Sequence, residues 1–366
     1  MIQVFMPKID YKEKPSLIMI QQHKAYTEML AAGTNVTVNY DVEVCCDHMI
    51  AEIEIWELFD YYKAKHNIQT NPKAMSDKLK SYRLYDQADF EQLPLMSFDK
   101  DSLQHFLNTP FIIKPKIGAG SVTYQNPFPY KVFENADQFS KSIKSDQNMQ
   151  QLKHMFITKD YIIQQAITQP NKKYGQLYIE GFVNNKGEIA FSSIHEIEFL
   201  NHRWTHQLKW SEEDNEQRDQ LIKKVCQLVY FNNIRNTFFQ LQFLRDLNQR
   251  KSTWYPTDWQ YRVAYNTLYG RMARERILMG QYVDFMTNQI NRITIEPKYQ
   301  YYQSYIQIDL NKPKQIVKQA IEKYDMLNVP FPKNNHDDQT KFLFVTHGET
   351  FEQAKEKTDE FSRLVA

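Results

Sequence analysis

The segment GQLYIEGFVNNKGEIAFSSIHEIEF, Gly175 to Phe199, constrains the fold more than any other stretch of the chain. Two runs rich in β-branched and aromatic residues flank Asn184-Asn185-Lys186-Gly187. Asn and Gly tolerate the positive φ of tight hairpin turns, so the segment predicts two antiparallel strands. A second strand pair, TFFQLQFLRD and STWYPTDWQYR, turns around Leu247–Lys251. Between the pairs, EEDNEQRDQLIKKVCQLVYFN carries apolar residues at helical spacing. Upstream, ADQFSKSIKSD reads as a helix and YIIQQAI as a short buried strand. Strands and helices alternating in pieces, with hairpins among them, argue for an α+β or mixed α/β fold.

Both ends of the chain extend the pattern. Ile2 to Met6 predicts a strand, PSLIMIQQHKAYTEMLAAG a helix stopped at Gly33, and NVTVNYDVEV another strand. A β-α-β opening follows. EIWELFDYYKAKH predicts an amphipathic helix, and Asn71-Pro72 breaks the chain before a helix capped by Ser76. ERILMGQYVDFMTNQI reads as helical with a break at Gly280. The last segment, KFLFVTHGETFEQAKEKTDEFSRLV, predicts a strand, a turn and a helix, with Thr350 and Gln353 at capping-box spacing.

Composition narrows the class. Hydrophobic residues make up 42 % and aromatics 14 % of 366, enough to bury a sizeable core. Lys+Arg total 45 against 44 Asp+Glu, a balance that calls for neither a nucleic acid nor an anionic membrane as partner. The three cysteines, Cys45, Cys46 and Cys226, form no Cys-x-x-Cys pair, which argues against a zinc ribbon and fits a reducing, cytoplasmic setting. No signal peptide and no membrane span are expected.

Chemistry first shows in FIIKPKIGAGSV, Phe111 to Val122. The chain has only 9 glycines, and two of them stand here beside two lysines. Glycines let backbone N–H groups approach a phosphate and lysine supplies a point charge. A tight solvated turn is the commoner origin of such a fragment, and no Gly-Lys-Ser/Thr follows to make a Walker A loop.

The order of elements around this loop, from about residue 70 to about residue 285, resembles the ATP-grasp superfamily, enzymes that clamp ATP between two α+β subdomains. The closing strand–helix of the chain resembles that of several members. The resemblance implies a β-α-β domain over 1–75, one ATP-grasp subdomain over 76–160, and a second over 161–366. It also implies ATP and Mg2+, small-molecule carboxylate and amine substrates, and room for a homodimer. Lys78 and Lys114 look like the two nucleotide lysines, Lys114 with a part in catalysis. Gly118, Ala119, Gly120 and Ser121 resemble the loop that covers the phosphates. Gln164, Gln165, Ala166 and Ile167 occupy the adenine hinge, and Gln176 the position of a ribose-binding Glu. Asp258, Gln260 and Arg262 match a Glu-x-Asn-x-Arg motif, Arg262 as the catalytic arginine. In FQLQFLRD, Gln242 falls where the family has its first metal-binding Glu, so the resemblance implies Gln242, Asp258 and Gln260 as the metal positions.

The sequence departs from the family at the metal. Gln242 is a neutral amide where a carboxylate is usual, Asp258 is one methylene shorter than Glu, and Gln260 one longer than Asn. The reaction implied is ATP-dependent joining of a carboxylate to an amine through an acyl phosphate. A phosphotransferase on the same fold and a nucleotide-binding scaffold without catalysis stand as rivals. His195-Glu196, Arg203, His206 and Lys209, and Arg271, Arg274 and Arg276 read as core-edge or solvated groups as readily as substrate contacts.

Overall fold

The computed structural model describes residues 2–5, 36–39, 48–51, 77–106, 108–116, 132–167, 175–200, 203–207, 215–235, 237–245, 253–260, 285, 301–307, 319, 322–323, 327–330 and 342–365. Three short strands come first: β1 (Ile2–Phe5), β2 (Val36–Asn39) and β3 (His48–Ala51). They form a parallel sheet ordered β2-β1-β3. Parallel pairing of β1 with β2 is what a β-α-β unit requires. The helix expected between them, and the one over EIWELFDYYKAKH, lie outside the described residues. The strand β3 was not expected.

A second unit begins at α1 (Lys78–Gln87), followed by β4 (Leu95–Ser97), α2 (Lys100–Phe106), β5 (Phe111–Pro115), α3 (Ala136–Ser142), α4 (Asp146–Thr158) and β6 (Tyr161–Gln165). The three strands pair antiparallel in the order β4-β6-β5. Asp77, not Ser76, caps α1: its carboxylate accepts from the backbone N–H of Leu79 and Lys80 at 3.0 and 3.2 Å. Phe98, Phe106, Phe111, Ile113, Phe133, Phe139, Leu152, Met155 and Ile163 fill the core of this unit. Phe111 and Phe133 stack with centroids 5.2 Å apart.

The largest element is an eight-stranded sheet. It is built from β7 (Gly175–Val183), β8 (Ile189–Leu200) and β9 (Arg203–Gln207), then, after α5 (Asn215–Phe231), β10 (Thr237–Arg245), β11 (Trp254–Gln260), β12 (Tyr301–Gln307), β13 (Leu327–Pro330) and β14 (Phe342–Gly348). Its strand order is β11-β10-β7-β8-β9-β12-β14-β13. The hairpin between β7 and β8 forms as its turn chemistry predicts. Asn184 Oδ1 accepts from the N–H of Lys186 and Glu188 at 3.0 and 2.9 Å. Gly187 has φ +87°, and a Cβ there would collide with the Arg235 guanidinium.

Alternate residues of β7, β10 and β11 (Leu177, Ile179, Phe239, Leu241, Phe243 and Trp259) pack with Leu221, Val225, Leu228 and Val229 of α5. Phe239 and Trp259 stack at 5.1 Å with an interplanar angle of 10°. Tyr85, Ala88 and Phe90 belong to this same core, so the end of α1 packs with the large sheet although its chain neighbours build the small one. The expected boundary at residue 160 likewise falls just before β6, a strand of the small sheet.

The chain closes with α6 (Phe351–Val365) packed on β14. Thr350 Oγ1 accepts from Gln353 N–H at 3.2 Å, and Gln353 Oε1 accepts in return from Glu349 N–H at 2.9 Å. Buried Thr346 donates to Ala354 O at 2.9 Å and lies 2.7 Å from the Thr358 hydroxyl. The helix expected around Gly280 lies outside the described residues except for Phe285, which meets Phe182 edge-on.

Candidate functional site

Three charged side chains converge from three elements. Lys78 opens α1, Lys114 lies near the end of β5, and Asp258 lies near the end of β11. Lys78 is only 4 % exposed, and its Nζ stands 3.9 Å from Asp258 Oδ1. Period-two alternation places Lys114. Phe111 and Ile113 point into the small core, so Ile112 and Lys114 take the opposite face of the sheet. Gln164 pairs with Ile112 and Ile162 with Lys114, which puts the buried Gln164 on that same face.

Removal from water pushes the Lys114 ammonium down to about 8, the nearby Lys78 charge adds to that, and Asp258 opposes it. The same carboxylate, after burial, raises the Tyr85 phenol above its ordinary range, while the nearby Ser81 hydroxyl acts the other way. Among the described residues, two ammonium groups thus lie near the Asp258 carboxylate in a largely dehydrated space. A further pair closes the cluster at the start of α1, where Lys116 Nζ lies 3.6 Å from Asp77 Oδ2.

The start of α1 is not itself an anion site. Asp77 takes up the N–H groups of Leu79 and Lys80, and Lys78 N–H donates to Lys116 O at 2.9 Å. Positive charge for a ligand must come from side chains. The segment expected as an adenine hinge is similarly committed: Gln165 N–H donates to Pro94 O at 2.9 Å and Ala166 N–H to Pro110 O at 2.8 Å.

On the large sheet, Gln242 stands opposite Asp258 and Gln240 opposite Gln260. A bulge follows Gln242, and Thr257 Oγ1 donates to Gln242 O at 3.2 Å. Across the next strand pair, Gln240 faces Glu180 and donates to its carboxylate, while Gln242 Nε2 donates to Gln240 Oε1 at 3.1 Å. Gln176 is half-buried on β7, opposite Leu244 and Ile197.

Sequence reasoning missed Glu180, Gln240 and Tyr85 as neighbours of the site. The even-numbered polar positions of β7 were the available signal, but their partners depend on cross-strand register. Gly118, Ala119, Gly120, Ser121 and Arg262 lie outside the described residues. Arg203 and His206 fall on β9 and His195 on β8, away from the β10–β11 end of the sheet.

The donor set fits ATP and Mg2+ unequally. Lys78 and Lys114, brought together beside Asp258, suit a polyphosphate. Among the described residues no three His, Cys, Asp or Glu side chains group as a metal cage. Asp258 with the amide oxygen of Gln242 suits a magnesium ion whose shell is completed by phosphate oxygens.

No family model matches the chain, and no curated protein matches it significantly. Solved structures do. An L-amino acid ligase from Bacillus licheniformis superposes with TM-score 0.62 at 11 % identity, over 99 % of this chain and 96 % of that one. The N5-carboxyaminoimidazole ribonucleotide synthetase of Thermus thermophilus gives TM-score 0.64 at 10 % identity, over 100 % and 99 %. The biotin carboxylase domain dimer of Hydrogenobacter thermophilus 2-oxoglutarate carboxylase, in complex with MgADP, ADP and bicarbonate, gives 0.61 at 9 % identity, over 99 % and 89 %. Among the described residues no helix is long and apolar enough to cross a membrane.

Proposed function

We propose that this chain, which has the ATP-grasp fold over nearly its whole length, is an ATP-dependent ligase that joins a carboxylate to an amine. The observation that carries the reading is the convergence of Lys78 and Lys114 on Asp258 between the small and the large sheet. Buried ammonium groups cost the fold stability unless anions offset them, and the neighbours solved with ADP and MgADP hold such an anion.

In this reading Lys78 and Lys114 hold the nucleotide phosphates and stabilise the charge that spreads over the transferring phosphoryl group. Attack by the substrate carboxylate breaks the bond to the γ-phosphorus, forms an acyl phosphate and releases ADP. An amine then displaces phosphate and loses a proton. Asp258 and Gln242 hold magnesium, which supplies Lewis-acid neutralisation of phosphate charge when bound. Gly118–Ser121 cover the phosphates and exclude water from the acyl phosphate, and Arg262 binds the transferring phosphoryl group or the acceptor carboxylate. Gln164 and Ile167 read the base. The single carboxylate at the metal position supports a second reading, a nucleotide-binding scaffold without turnover.

The test is phosphate release from ATP with magnesium across a panel of amino acids and small carboxylates, followed by product analysis. Release that depends on both a carboxylate and an amine, with a coupled product, supports the ligase. ADP formation without free phosphate, with a phosphorylated hydroxyl product, identifies a phosphotransferase. Nucleotide binding with neither ADP nor phosphate formed under any pairing leaves the scaffold.

A further inference from the structure

We propose that Glu180 is a positioning residue: it fixes the sense of the amide at position 242, so that this neutral side chain offers an oxygen to the nucleotide's metal ion. The inference rests on the nucleotide-binding reading above and goes beyond it, because Glu180 lies one strand away from the metal positions.

The argument is directional. Gln240 Nε2 donates to Glu180 Oε1, and Gln242 Nε2 donates to Gln240 Oε1 at 3.1 Å. A carboxylate only accepts, whereas an amide has one accepting oxygen and one donating NH2. Glu180 therefore selects the NH2 end of Gln240. That leaves Gln240 Oε1 facing Gln242, and Oε1 selects the NH2 end of Gln242 in turn. Gln242 keeps its own Oε1 for a ligand, at the register position directly opposite Asp258. Had the row run the other way, Gln242 would present NH2, which no magnesium ion accepts as a ligand.

Burial makes the selection firm. Glu180 is 1 % and Gln240 3 % exposed, so water does not compete for these bonds. With glutamine at 180, both senses of the row satisfy the same hydrogen bonds, and Gln242 presents oxygen only part of the time. Moving the carboxylate one place along the row behaves differently. In the double variant Glu180→Gln/Gln240→Glu, the acid at 240 accepts from both neighbours and restores the sense at 242.

The experiment uses the full chain and calorimetry with ADP, in chelator and across a Mg2+ titration. Glu180→Gln is expected to weaken Mg2+ in the ADP complex by about tenfold, the lower end for loss of a group that orients a metal ligand. ADP affinity in chelator is expected to stay at the wild-type value. The double variant is expected to recover at least wild-type Mg2+ affinity. A folded Glu180→Gln protein with an unchanged Mg2+ titration overturns the inference alone. Wild-type protein that binds no ADP overturns the nucleotide reading and this inference with it. If Glu180→Gln does not fold, the double variant decides, and a tenfold loss of Mg2+ affinity there overturns the inference.

Discussion

Replacing Lys114 by Met is expected to make the protein more stable and worse at binding nucleotide. The ammonium of Lys114 is held at about 8 by desolvation and by the charge of Lys78, against about 10.5 in the unfolded chain. Below pH 8 both states carry the proton and the folded state bears the full penalty of the buried charge. From about pH 8 to 10.5 the unfolded chain binds more protons than the folded one, so stability rises with pH across that window. The difference corresponds to at most about 3 kcal/mol at neutral pH, and partial exposure reduces it to about 1–3 kcal/mol. Lys114→Met removes the penalty and keeps the stem's packing, so the melting temperature at pH 7 should rise by a few degrees. Nucleotide affinity should move the other way. Losing a charge-assisted contact costs about 1.5–3 kcal/mol, and a bound phosphate favours protonated Lys114. Wild-type ADP affinity should therefore fall only about twofold from pH 7 to 8 and about tenfold by pH 9, as one proton must be taken up on binding. The variant should show no such fall. Calorimetric titration at pH 7, 8 and 9, with thermal denaturation of the same samples, makes the comparison. A wild-type affinity that is flat across this range, or a variant that melts lower than wild type at pH 7, refutes the reasoning.

Two further outcomes are expected. Asp258→Asn should abolish magnesium-dependent turnover while leaving metal-free ADP binding in place, and Gln242→Glu should tighten the magnesium dependence of turnover or of ADP binding, because an anion replaces an amide in a hard-ion site; wild-type magnesium titrations in both variants would displace the metal from these strands. Trp259→Ala should lower stability by about 3–5 kcal/mol in chemical denaturation, since Trp259 is 2 % exposed and stacked on Phe239.

Features written in local chemistry were legible in the sequence. The turn at Asn184–Gly187 forms because the Asn side chain and a positive-φ Gly fix it without help from the rest of the chain. The cap at Thr350 is local in the same way. The cap of α1 lies one residue beyond the expected Ser76, since Ser and Asp are both good caps and adjacent candidates look alike. Lys78, Lys114 and Asp258 stand out by their order along the chain, and each falls near the end of its element. Register was not legible. The pairing of Gln240 with Glu180 links positions 60 apart in sequence, and no local pattern encodes it. The order of eight strands, with β12, β13 and β14 added beyond β9, is likewise set by which edges meet during folding, not by any one strand's residues.

The helix α1 also has a mechanical consequence. Its first N–H is fastened to Lys116 at the end of β5, and Lys116 holds Asp77 through its side chain. Its far end, with Tyr85, Ala88 and Phe90, is embedded in the core under the large sheet. The helix is thus a rigid crank with one pin in each body. Rotating the small sheet relative to the large one must either break the Lys78–Lys116 bond or swing Tyr85 within the packing beneath Asp258. Whatever pulls on the strand that carries Lys114 is felt at the other end of that crank, about two helical turns away, without any ligand reaching so far.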